Sequence, residues 1–382
     1  MSVSEPITAI TERVARLRRR LQEQEQELDA LLVTNPENRR YLSGFSGHDD
    51  GADSAGALVV SCDAISLITD GRYTELAARE CPGLRVIHRQ GPFAPLAAEA
   101  LLATGAQRIG FEAAHVTVAG RDDLASALAE KAGDAAPPEL VATRALVEPL
   151  RAVKDGAELA AIERAVAITD ATFTYLCGYL RAGLTEKQVA REIERYMLEQ
   201  GADGMAFTPI VASGPNAALP HVEPSARELT LGEPIIIDMG ARFAGYCSDM
   251  TRTVCLGELG PEGQVIYDLV LRAQEACEAR IRPGMTGQQV DALARDIAEA
   301  AGHGEHYLHG LGHGLGLEIH ESPALSKYAE EQTLEPGMVF SIEPGIYVSG
   351  WGGVRIEDTV VLTDAVVRVL TASHKRFALP AR

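Results

Sequence analysis

Two segments of the chain resemble each other: Arg181-Ala-Gly-Leu-Thr185-Glu-Lys-Gln188-Val189 and Arg282-Pro-Gly-Met-Thr286-Gly-Gln-Gln289-Val290. In each, a glutamine follows a threonine at the third position, which is the pattern of a capping box at the start of a helix. Each segment is followed by an apolar run that ends in an acid and then X-Gly, the acids being Asp238 and Glu343. The sequence therefore predicts a duplicated unit in which these two acids occupy equivalent positions.

A second acid follows each of these positions on the next strand-like run: Asp249 follows Asp238, and Glu357 follows Glu343. If the two copies pack against each other, four carboxylates meet at the centre of the unit. Converging carboxylates repel one another unless a cation holds them. The duplication therefore predicts a metal site, and one that holds two ions.

The segment His309-Gly-Leu-Gly-His313-Gly-Leu-Gly-Leu-Glu-Ile-His320 is rich in glycine and histidine. Glycine at this density disfavours a helix and suits a backbone that passes close to a ligand or a metal. One imidazole with four carboxylates is a suitable ligand set for paired Mn²⁺, Co²⁺, Fe²⁺ or Zn²⁺ ions. Two such ions clamp a bridging hydroxide, which is a nucleophile at neutral pH, so the pattern predicts a hydrolase.

Other polar residues near these motifs have a simpler interpretation. A single acid after an apolar strand is usually a turn residue or a helix cap, and only the symmetric set of four favours a metal site. We interpret His303 and His306 as surface or packing residues, and Asp358 as structural because it should face the opposite side of its strand from the acid before it. Cys247 shares a strand face with Asp249, but its thiolate would be a soft ligand among hard oxygen donors, so we interpret it as a packed residue.

Length and composition limit the class of protein. A chain of 382 residues is long enough for two or three domains with real cores. A net charge of −19 argues against nucleic acid and anionic membrane as partners, since both attract basic surfaces. No apolar run is long enough to span a bilayer, and the start of the chain has no signal-peptide pattern, so we expect a cytoplasmic protein. Six scattered cysteines without a CxxC pair are expected to be reduced.

The order of apolar and polar segments predicts two domains. An amphipathic helix opens the chain. Strands over 30–34, 57–61, 64–69, 84–88 and 108–111 then alternate with helices over 73–80, 95–103 and 124–132, and Asn35-Pro36 is expected to be a turn. This predicts an α/β domain over 1–145, without a phosphate-binding loop, and a linker over 146–156. The duplicated half over 157–382 has the order helix, helix, strand pair, repeated once, and each strand pair is expected to be an antiparallel hairpin.

The motifs of the second half resemble those of the proline-specific metallopeptidases with the pita-bread fold, which are the Xaa-Pro aminopeptidases (aminopeptidase P) and the Xaa-Pro dipeptidases (prolidases). The resemblance rests on Ile235–Thr253, the histidine-rich segment 309–321, Ser341-Ile-Glu343-Pro-Gly345 and Val354-Arg-Ile-Glu357-Asp. It extends to Leu219-Pro-His221 and, in the first domain, to 38–47 and 68–73. It implies an α/β N-terminal domain followed by an α+β pita-bread catalytic domain with a pseudo-twofold internal repeat.

The resemblance also implies a role for each site residue. The metal ligands would be Asp238, Asp249, His313, Glu343 and Glu357. Of these, Asp249 and Glu357 would bridge the two ions, and Glu343 would also take the proton from the bridging water. His221, His309 and His320 would hold the substrate carbonyl and stabilise the charge that grows on its oxygen, and Arg355 matches an arginine beside the last ligand. The acidic stretch 48–53 departs from the pattern of the family.

We therefore expect a metal-dependent exopeptidase that hydrolyses the bond between an N-terminal residue and a following proline by a metal-bridging hydroxide. An Xaa-Pro aminopeptidase is favoured slightly, from 41–45 and 70–73, and an Xaa-Pro dipeptidase is the alternative. Mn²⁺ or Co²⁺ is favoured as the cofactor, with Zn²⁺ or Fe²⁺ as alternatives, and the expected partners are proline-containing peptides and a second copy in a homodimer.

Two further classes share the pita-bread fold. Methionine aminopeptidases generally lack the large N-terminal domain, which counts against them. A metal-free creatine hydrolase and non-catalytic binding proteins lack several ligands, whereas all five are present in this sequence.

Overall fold

The computed structural model describes residues 7–24, 27–49 and 54–381. The chain forms two compact units, Met1–Arg151 and Ala152–Arg382. The division falls inside a short helix, Glu148–Ala152, within the stretch 146–156 that was expected to be a linker. Among the described residues, no helix has both the length and the apolar content needed to cross a membrane.

The first unit is a mixed sheet with helices. Its helices are α1 (Ile7–Gln22), α2 (Pro36–Ser43), α3 (Thr74–Glu80), α4 (Phe93–Leu102), α5 (Val118–Ala132) and α6 (Glu148–Ala152). Its strands are β1 (Ala30–Val33), β2 (Gly56–Ser61), β3 (Ile65–Asp70), β4 (Arg85–Arg89), β5 (Arg108–Glu112) and β6 (Glu139–Thr143). They pair in the order β4-β3-β2-β1-β5-β6, antiparallel from β1 to β3 and parallel elsewhere.

Apolar side chains of the sheet and of two helices form the core of this unit. Leu32 and Val59 face each other across β1 and β2, and they cluster with Leu101 of α4 and Leu128 of α5. The predicted α/β class is therefore confirmed, as is the antiparallel pairing of the strands near 57–61 and 64–69.

Three elements of the first unit differ from prediction. Asn35-Pro36 begins helix α2 instead of forming a turn, because the Asn35 side chain caps the helix at the Asn38 amide and proline fits its first turn. Helix α5 begins earlier than predicted, since Thr117 caps it. Strand β6 was not predicted at all. Of the acidic stretch 48–53, residues 50–53 lie outside the described residues.

The second unit is built from helices and small antiparallel sheets. Its helices are α7 (Gly156–Tyr179), α8 (Glu186–Glu199), α9 (Pro261–Arg280) and α10 (Gly287–Ala300), with 3-10 turns at Gly214–Ala218 and Gly304–His306. The strands up to α9 are β7 (Gly204–Met205), β8 (Ile210–Ser213), β9 (Pro234–Met239), β10 (Ala241–Phe243), β11 (Tyr246–Cys247) and β12 (Met250–Leu256). The later strands are β13 (Gly312–Gly314), β14 (Glu321–Leu325), β15 (Val339–Ile342), β16 (Gly345–Val348), β17 (Gly352–Arg355), β18 (Asp358–Leu362), β19 (Val367–Val369) and β20 (Ala378–Leu379).

The same order of elements occurs twice in this unit. Helices α8 and α10 begin with the two predicted capping boxes, at Thr185 and Thr286, and both boxes are complete. Strands β9 and β12 pair antiparallel, as do β15 and β18. Each pair is connected through a second small hairpin, β10–β11 or β16–β17, so the predicted strand pairs are confirmed but their connections are more elaborate than a single turn.

The two copies meet along strand β12. The amide of Glu357 donates to the carbonyl of Thr251 at 3.0 Å. The hydroxyl of Thr359 donates to the carbonyl of Asp249 at 2.7 Å, and that of Thr253 donates to the carbonyl of Arg355 at 2.9 Å. These bonds fix the acid-bearing end of one strand pair beside the acid-bearing end of the other.

Candidate active site

One cavity in the second unit has a volume of about 480 Å³ and contains every residue that the sequence predicts for the site. The predicted ligands and the other predicted site residues all line it: Asp238, Asp249, His313, Glu343, Glu357, His221, His309, His320 and Arg355. The duplicated strand pairs therefore bring together side chains that are far apart in the sequence.

The four acids lie at the ends of the paired strands. Asp238 lies near the end of β9, Asp249 directly precedes β12, Glu343 directly follows β15 and Glu357 directly precedes β18. Three of them are buried, with Glu357 only 1% exposed. Ligand atoms of Asp249, His313 and Glu357 all lie within 4.8 Å of one another. The His313 Nε2 atom also lies 3.3 Å from Glu343 Oε1, so a single small volume is surrounded by donors.

The residues fit a pair of divalent cations. Two carboxylate oxygens, Asp238 Oδ1 and Glu357 Oε1, are buried and have no hydrogen-bond partner among the described residues. Burying an unpaired ionised carboxylate is costly unless a cation is nearby. Carboxylate oxygens with one imidazole nitrogen form a donor set that suits Mn²⁺, Co²⁺, Fe²⁺ and Zn²⁺.

Electrostatics of the metal-free protein lead to the same conclusion. Burial raises the pKa of Asp249 and of Glu357 well above the usual range, and neighbouring carboxylates raise both further. Burial also raises the pKa of Asp238, although the Arg355 charge opposes it. For Glu343, burial is outweighed by the hydrogen bond and the charge of His313, which lower its pKa to about 2. Without a cation, the four acids are not all stable as anions.

Neighbouring side chains orient the carboxylates. The Thr251 hydroxyl donates to Glu357 Oε2 at 2.7 Å. The Ser341 hydroxyl donates to Glu343 Oε1 at 3.0 Å and accepts a bond from the His313 amide. The Arg355 guanidinium forms a buried ion pair with Asp238 at 2.7 Å. Glu357, Glu343 and Asp238 thus each have one fixed oxygen, which leaves the other free for a ligand.

His309 has a protein partner at each of its two ring nitrogens. Its Nδ1 atom lies 2.7 Å from the Gly310 carbonyl and must therefore carry the proton. Its Nε2 atom then accepts the hydroxyl of Tyr347 at 2.8 Å, and Tyr347 in turn accepts a bond from Arg355 at 2.8 Å. Burial lowers the pKa of His309, which favours this neutral form. In this arrangement His309 supports Tyr347 and, through Tyr347, Arg355. The role toward a substrate carbonyl that the resemblance implies for His309 stays a prediction.

His221 and His320 are exposed in the cavity wall. The ring of His320 lies 4.0 Å from that of His313 between centroids. Burial and the charge of His313 lower the pKa of His320, which favours a neutral imidazole. A neutral imidazole can donate one N–H, as the expected role requires.

Two glycines in the histidine-rich segment are explained by close contact with neighbouring backbone, whereas the sequence analysis expected close approach to a ligand or a metal. A Cβ atom on Gly312 would lie 2.2 Å from the Ser341 carbonyl oxygen, and one on Gly314 would lie 2.0 Å from the Ser322 carbonyl oxygen. These glycines belong to β13 and allow close approach of neighbouring backbone. They allow the strand that carries His313 to pack closely against its neighbours. The atoms that a side chain would meet at these positions belong to the protein itself.

Two buried acids that the sequence analysis missed anchor the loops around the cavity. Glu186, fully buried at the start of α8, accepts bonds from the amides and hydroxyls of Ser213 and Ser225 at 2.6–3.0 Å. Asp291 in α10 accepts the Leu311 amide at 2.9 Å. Glu186 is an acid in the first turn of a helix, which usually indicates a favourable dipole interaction at the surface, and Asp291 lies further along its helix. Neither position gives a sequence signal for these long-range contacts.

Comparison with known proteins identifies the family. The profile for metallopeptidase family M24 matches residues 160–364, and the profile for the creatinase/prolidase N-terminal domain matches residues 13–153. The chain belongs to metallopeptidase family M24. The predicted family and the predicted pita-bread fold of the catalytic half are therefore confirmed.

Relatives agree with this assignment over nearly the whole chain. The uncharacterized peptidase YqhT of Bacillus subtilis strain 168 is 40% identical over 92% of this chain and 96% of its own length. An Xaa-Pro dipeptidase from Bacillus anthracis is 37% identical, with a TM-score of 0.89 over 97% of this chain and all of its own. An X-Pro aminopeptidase from Thermotoga maritima MSB8 is 34% identical, with a TM-score of 0.83 over 92% of this chain and 98% of its own.

Proposed function

We propose that this M24 metallopeptidase is an exopeptidase that hydrolyses the bond between an N-terminal residue and a following proline, with the Xaa-Pro aminopeptidase activity favoured. The observation that carries the proposal is the convergence of four carboxylates and His313 in one cavity, with two buried carboxylate oxygens left without a partner among the described residues. The solved relatives named as Xaa-Pro dipeptidase and X-Pro aminopeptidase support the substrate class.

The five ligand residues would hold two divalent ions, and we propose Mn²⁺ or Co²⁺ before Zn²⁺ or Fe²⁺. Asp249 and Glu357 lie between the copies and are the proposed bridging ligands. Asp238 would complete the coordination of one ion, and His313 and Glu343 would complete that of the other. Such ions, when bound, supply Lewis acidity and lower the pKa of a water molecule, which becomes the nucleophile.

The chain's own residues would then handle the proton and the substrate carbonyl. Glu343, whose carboxylate is exposed to the cavity more than the other acids, would accept the proton of the attacking water and pass it to the leaving nitrogen. His221 and His320 would donate to the carbonyl oxygen as it becomes negative. Arg355 would orient Asp238, and its charge opposes the rise in the Asp238 pKa that burial causes.

Apolar residues in the cavity lining would favour proline. They are Phe207, Pro209, Ile210, Val222 and Ile319. A proline ring has no amide N–H to satisfy and fixes the backbone angle φ, so a peptide that bends at proline places an apolar ring against such a lining.

A peptide panel tests the proposal. We expect hydrolysis of Leu-Pro-Leu and no comparable hydrolysis of Leu-Ala-Leu when the protein is supplied with Mn²⁺ or Co²⁺. Release of leucine, measured by amino-acid analysis, is the readout. Equal rates on both peptides, or cleavage of Met-Ala-Leu alone, would contradict specificity for proline. Cleavage of Leu-Pro but not of Leu-Pro-Leu would establish the dipeptidase alternative, which the Bacillus anthracis relative supports.

A second prediction concerns His320. We expect His320→Ala to keep its bound metal and its melting temperature but to lose kcat by about 10²-fold, because an oxyanion donor acts mainly in the transition state. The exposed His115 of the first unit provides a matched His→Ala control, for which no loss is expected. An unchanged kcat for His320→Ala would remove this residue from the mechanism.

The homodimer and the cytoplasmic location expected from the sequence stay predictions.

A further inference from the structure

Glu223 is an acid in the cavity wall that the proposed reaction does not use. It lines the same cavity as the metal-ligand set, and its side chain is exposed. It makes no hydrogen bond or ion pair with any residue that the structure describes. The four other lining acids, Asp238, Asp249, Glu343 and Glu357, all belong to the proposed metal set.

The segment that carries Glu223 is held at both ends. At one end, the Pro220 carbonyl accepts a bond from the Arg355 guanidinium at 3.3 Å. At the other, the Ser225 amide and hydroxyl both donate to the buried carboxylate of Glu186, at 3.0 and 2.6 Å. Proline at positions 220 and 224 restricts the backbone in between. The carboxylate of Glu223 is therefore presented on a pre-organised segment, which lowers the entropic cost of binding a partner there.

Among the described residues that line the cavity, no lysine or arginine is free to neutralise this acid. Arg355 is the one lysine or arginine among the described residues that line the cavity. Its guanidinium already donates to Asp238, Tyr347, Thr251 and Pro220. A carboxylate in a concave site with low-dielectric walls attracts positive charge more strongly than one on an open surface. The net charge of −19 for the chain adds to that attraction.

We infer that Glu223 binds a positively charged group of the peptide substrate and so contributes to substrate selection. The inference rests on the proposed function, in which a peptide occupies this cavity. Two peptide groups have the required chemistry: the α-ammonium, which every substrate carries, and the side chain of lysine or arginine, which only some carry. Both are cationic hydrogen-bond donors that match a free carboxylate.

Kinetics on matched peptides separate the two sources. We compare Lys-Pro-Leu with its neutral analogue norleucine-Pro-Leu, and Leu-Pro-Lys with Leu-Pro-norleucine. If a lysine side chain is recognised, Glu223→Gln lowers kcat/KM for one of the lysine peptides by about two- to fivefold relative to its norleucine analogue, mainly through a higher KM. Glu223→Lys then makes the norleucine analogue the better substrate. If the α-ammonium is recognised, all four peptides lose the same factor. In either case the loss shrinks in 0.5 M KCl, because salt screens the interaction.

Glu228→Gln is the matched control, since Glu228 is exposed on the same loop but does not line the cavity. It removes the same charge and should change none of the ratios. Identical kinetics for Glu223→Gln and Glu228→Gln on all four peptides would overturn the inference. So would a uniform loss in Glu223→Gln that does not depend on salt, because that outcome indicates altered packing of the loop.

The inference and the proposed function can fail separately. Hydrolysis of norleucine-Pro-Leu by the wild-type protein tests the function alone. If no peptide is cleaved, calorimetry with the same peptides carrying a reduced scissile carbonyl still tests Glu223. A lysine peptide that binds about two- to fivefold more tightly than its analogue to wild type, but not to Glu223→Gln, supports the inference. The same affinity ratio in both proteins overturns it.

Discussion

Replacing Glu357 with glutamine is expected to have opposite effects on the metal-loaded and the metal-free protein. With metal supplied, Glu357→Gln should lose at least one equivalent of bound ion and more than about 10³-fold in kcat/KM, because Glu357 is proposed to bridge both ions and its loss would weaken the binding of both. Without metal, the same change should stabilise the fold by about 1–3 kcal/mol near neutral pH, because it removes a buried acid whose charged form is disfavoured by burial and by three other acids. The Thr251 hydroxyl can still donate to the glutamine carbonyl, so the packing is preserved.

The gain in stability should depend on pH. Burial raises the pKa of Glu357 in the metal-free folded protein above its unfolded value, so the folded state holds this proton more tightly than the unfolded chain. The stability that comes from the tighter proton is present at low pH and is lost as the pH rises above the unfolded pKa. Glutamine does not titrate, so Glu357→Gln does not lose this stability as the pH rises. We therefore expect the variant and the wild type to differ little near pH 4 and most near pH 8, in urea unfolding with a chelator present.

An exposed acid provides the comparison for this experiment. Glu331→Gln removes one negative charge from an exposed residue of the same unit that does not line the cavity. It should leave the metal content unchanged and alter the stability by no more than about 0.5 kcal/mol. Wild-type levels of bound metal and of kcat in Glu357→Gln would show that Glu357 is not a ligand.

The repeat was readable from the sequence because its signals are local. A threonine and a glutamine in a capping box satisfy each other's hydrogen bonds within one helical turn, so Thr185 and Thr286 indicate helix starts wherever the helices pack. Asp238 and Glu343 could be paired because each comes at the end of an apolar run of strand length. All the predicted site residues line one cavity, and this shows how far a duplicated pattern constrains a site.

Residues that support the site were missed because their partners lie far along the chain. Tyr347 contacts His309, and Glu186 contacts Ser225, across 38 and 39 residues. Neither contact leaves a periodic pattern. The contact between His309 and Tyr347 could not be foreseen for the same reason, since the hydroxyl near its Nε2 atom comes from a strand whose register only the folded structure defines. In the first unit, β6 was missed because it is half exposed and carries no clear alternation.

Removal of metal is expected to abolish hydrolysis, and this prediction separates the proposed mechanism from covalent catalysis. Among the described residues that line the cavity there is no cysteine, and the one serine, Ser326, accepts a bond from the Tyr328 amide instead of pairing with a histidine. After treatment with a chelator, kcat/KM should fall by more than about 10³-fold, since loss of a single oxyanion donor alone typically costs about 10²–10³-fold. Two equivalents of Mn²⁺ or Co²⁺ should restore it, and elemental analysis should find both ions.

The same titration has a thermal readout that does not depend on activity. Metal that binds only the folded protein stabilises it, by about 2.7 kcal/mol at a free concentration a hundred times the Kd. For a unit of this size that corresponds to a rise in Tm of about 5–10 °C. The rise should be absent in Asp249→Ala, because that variant lacks a carboxylate whose oxygen lies within 4.8 Å of both His313 and Glu357 ligand atoms. Full activity in protein shown to be free of metal, together with a Tm that metal does not change, would mean that the four acids serve the fold and that another group in the cavity performs the chemistry.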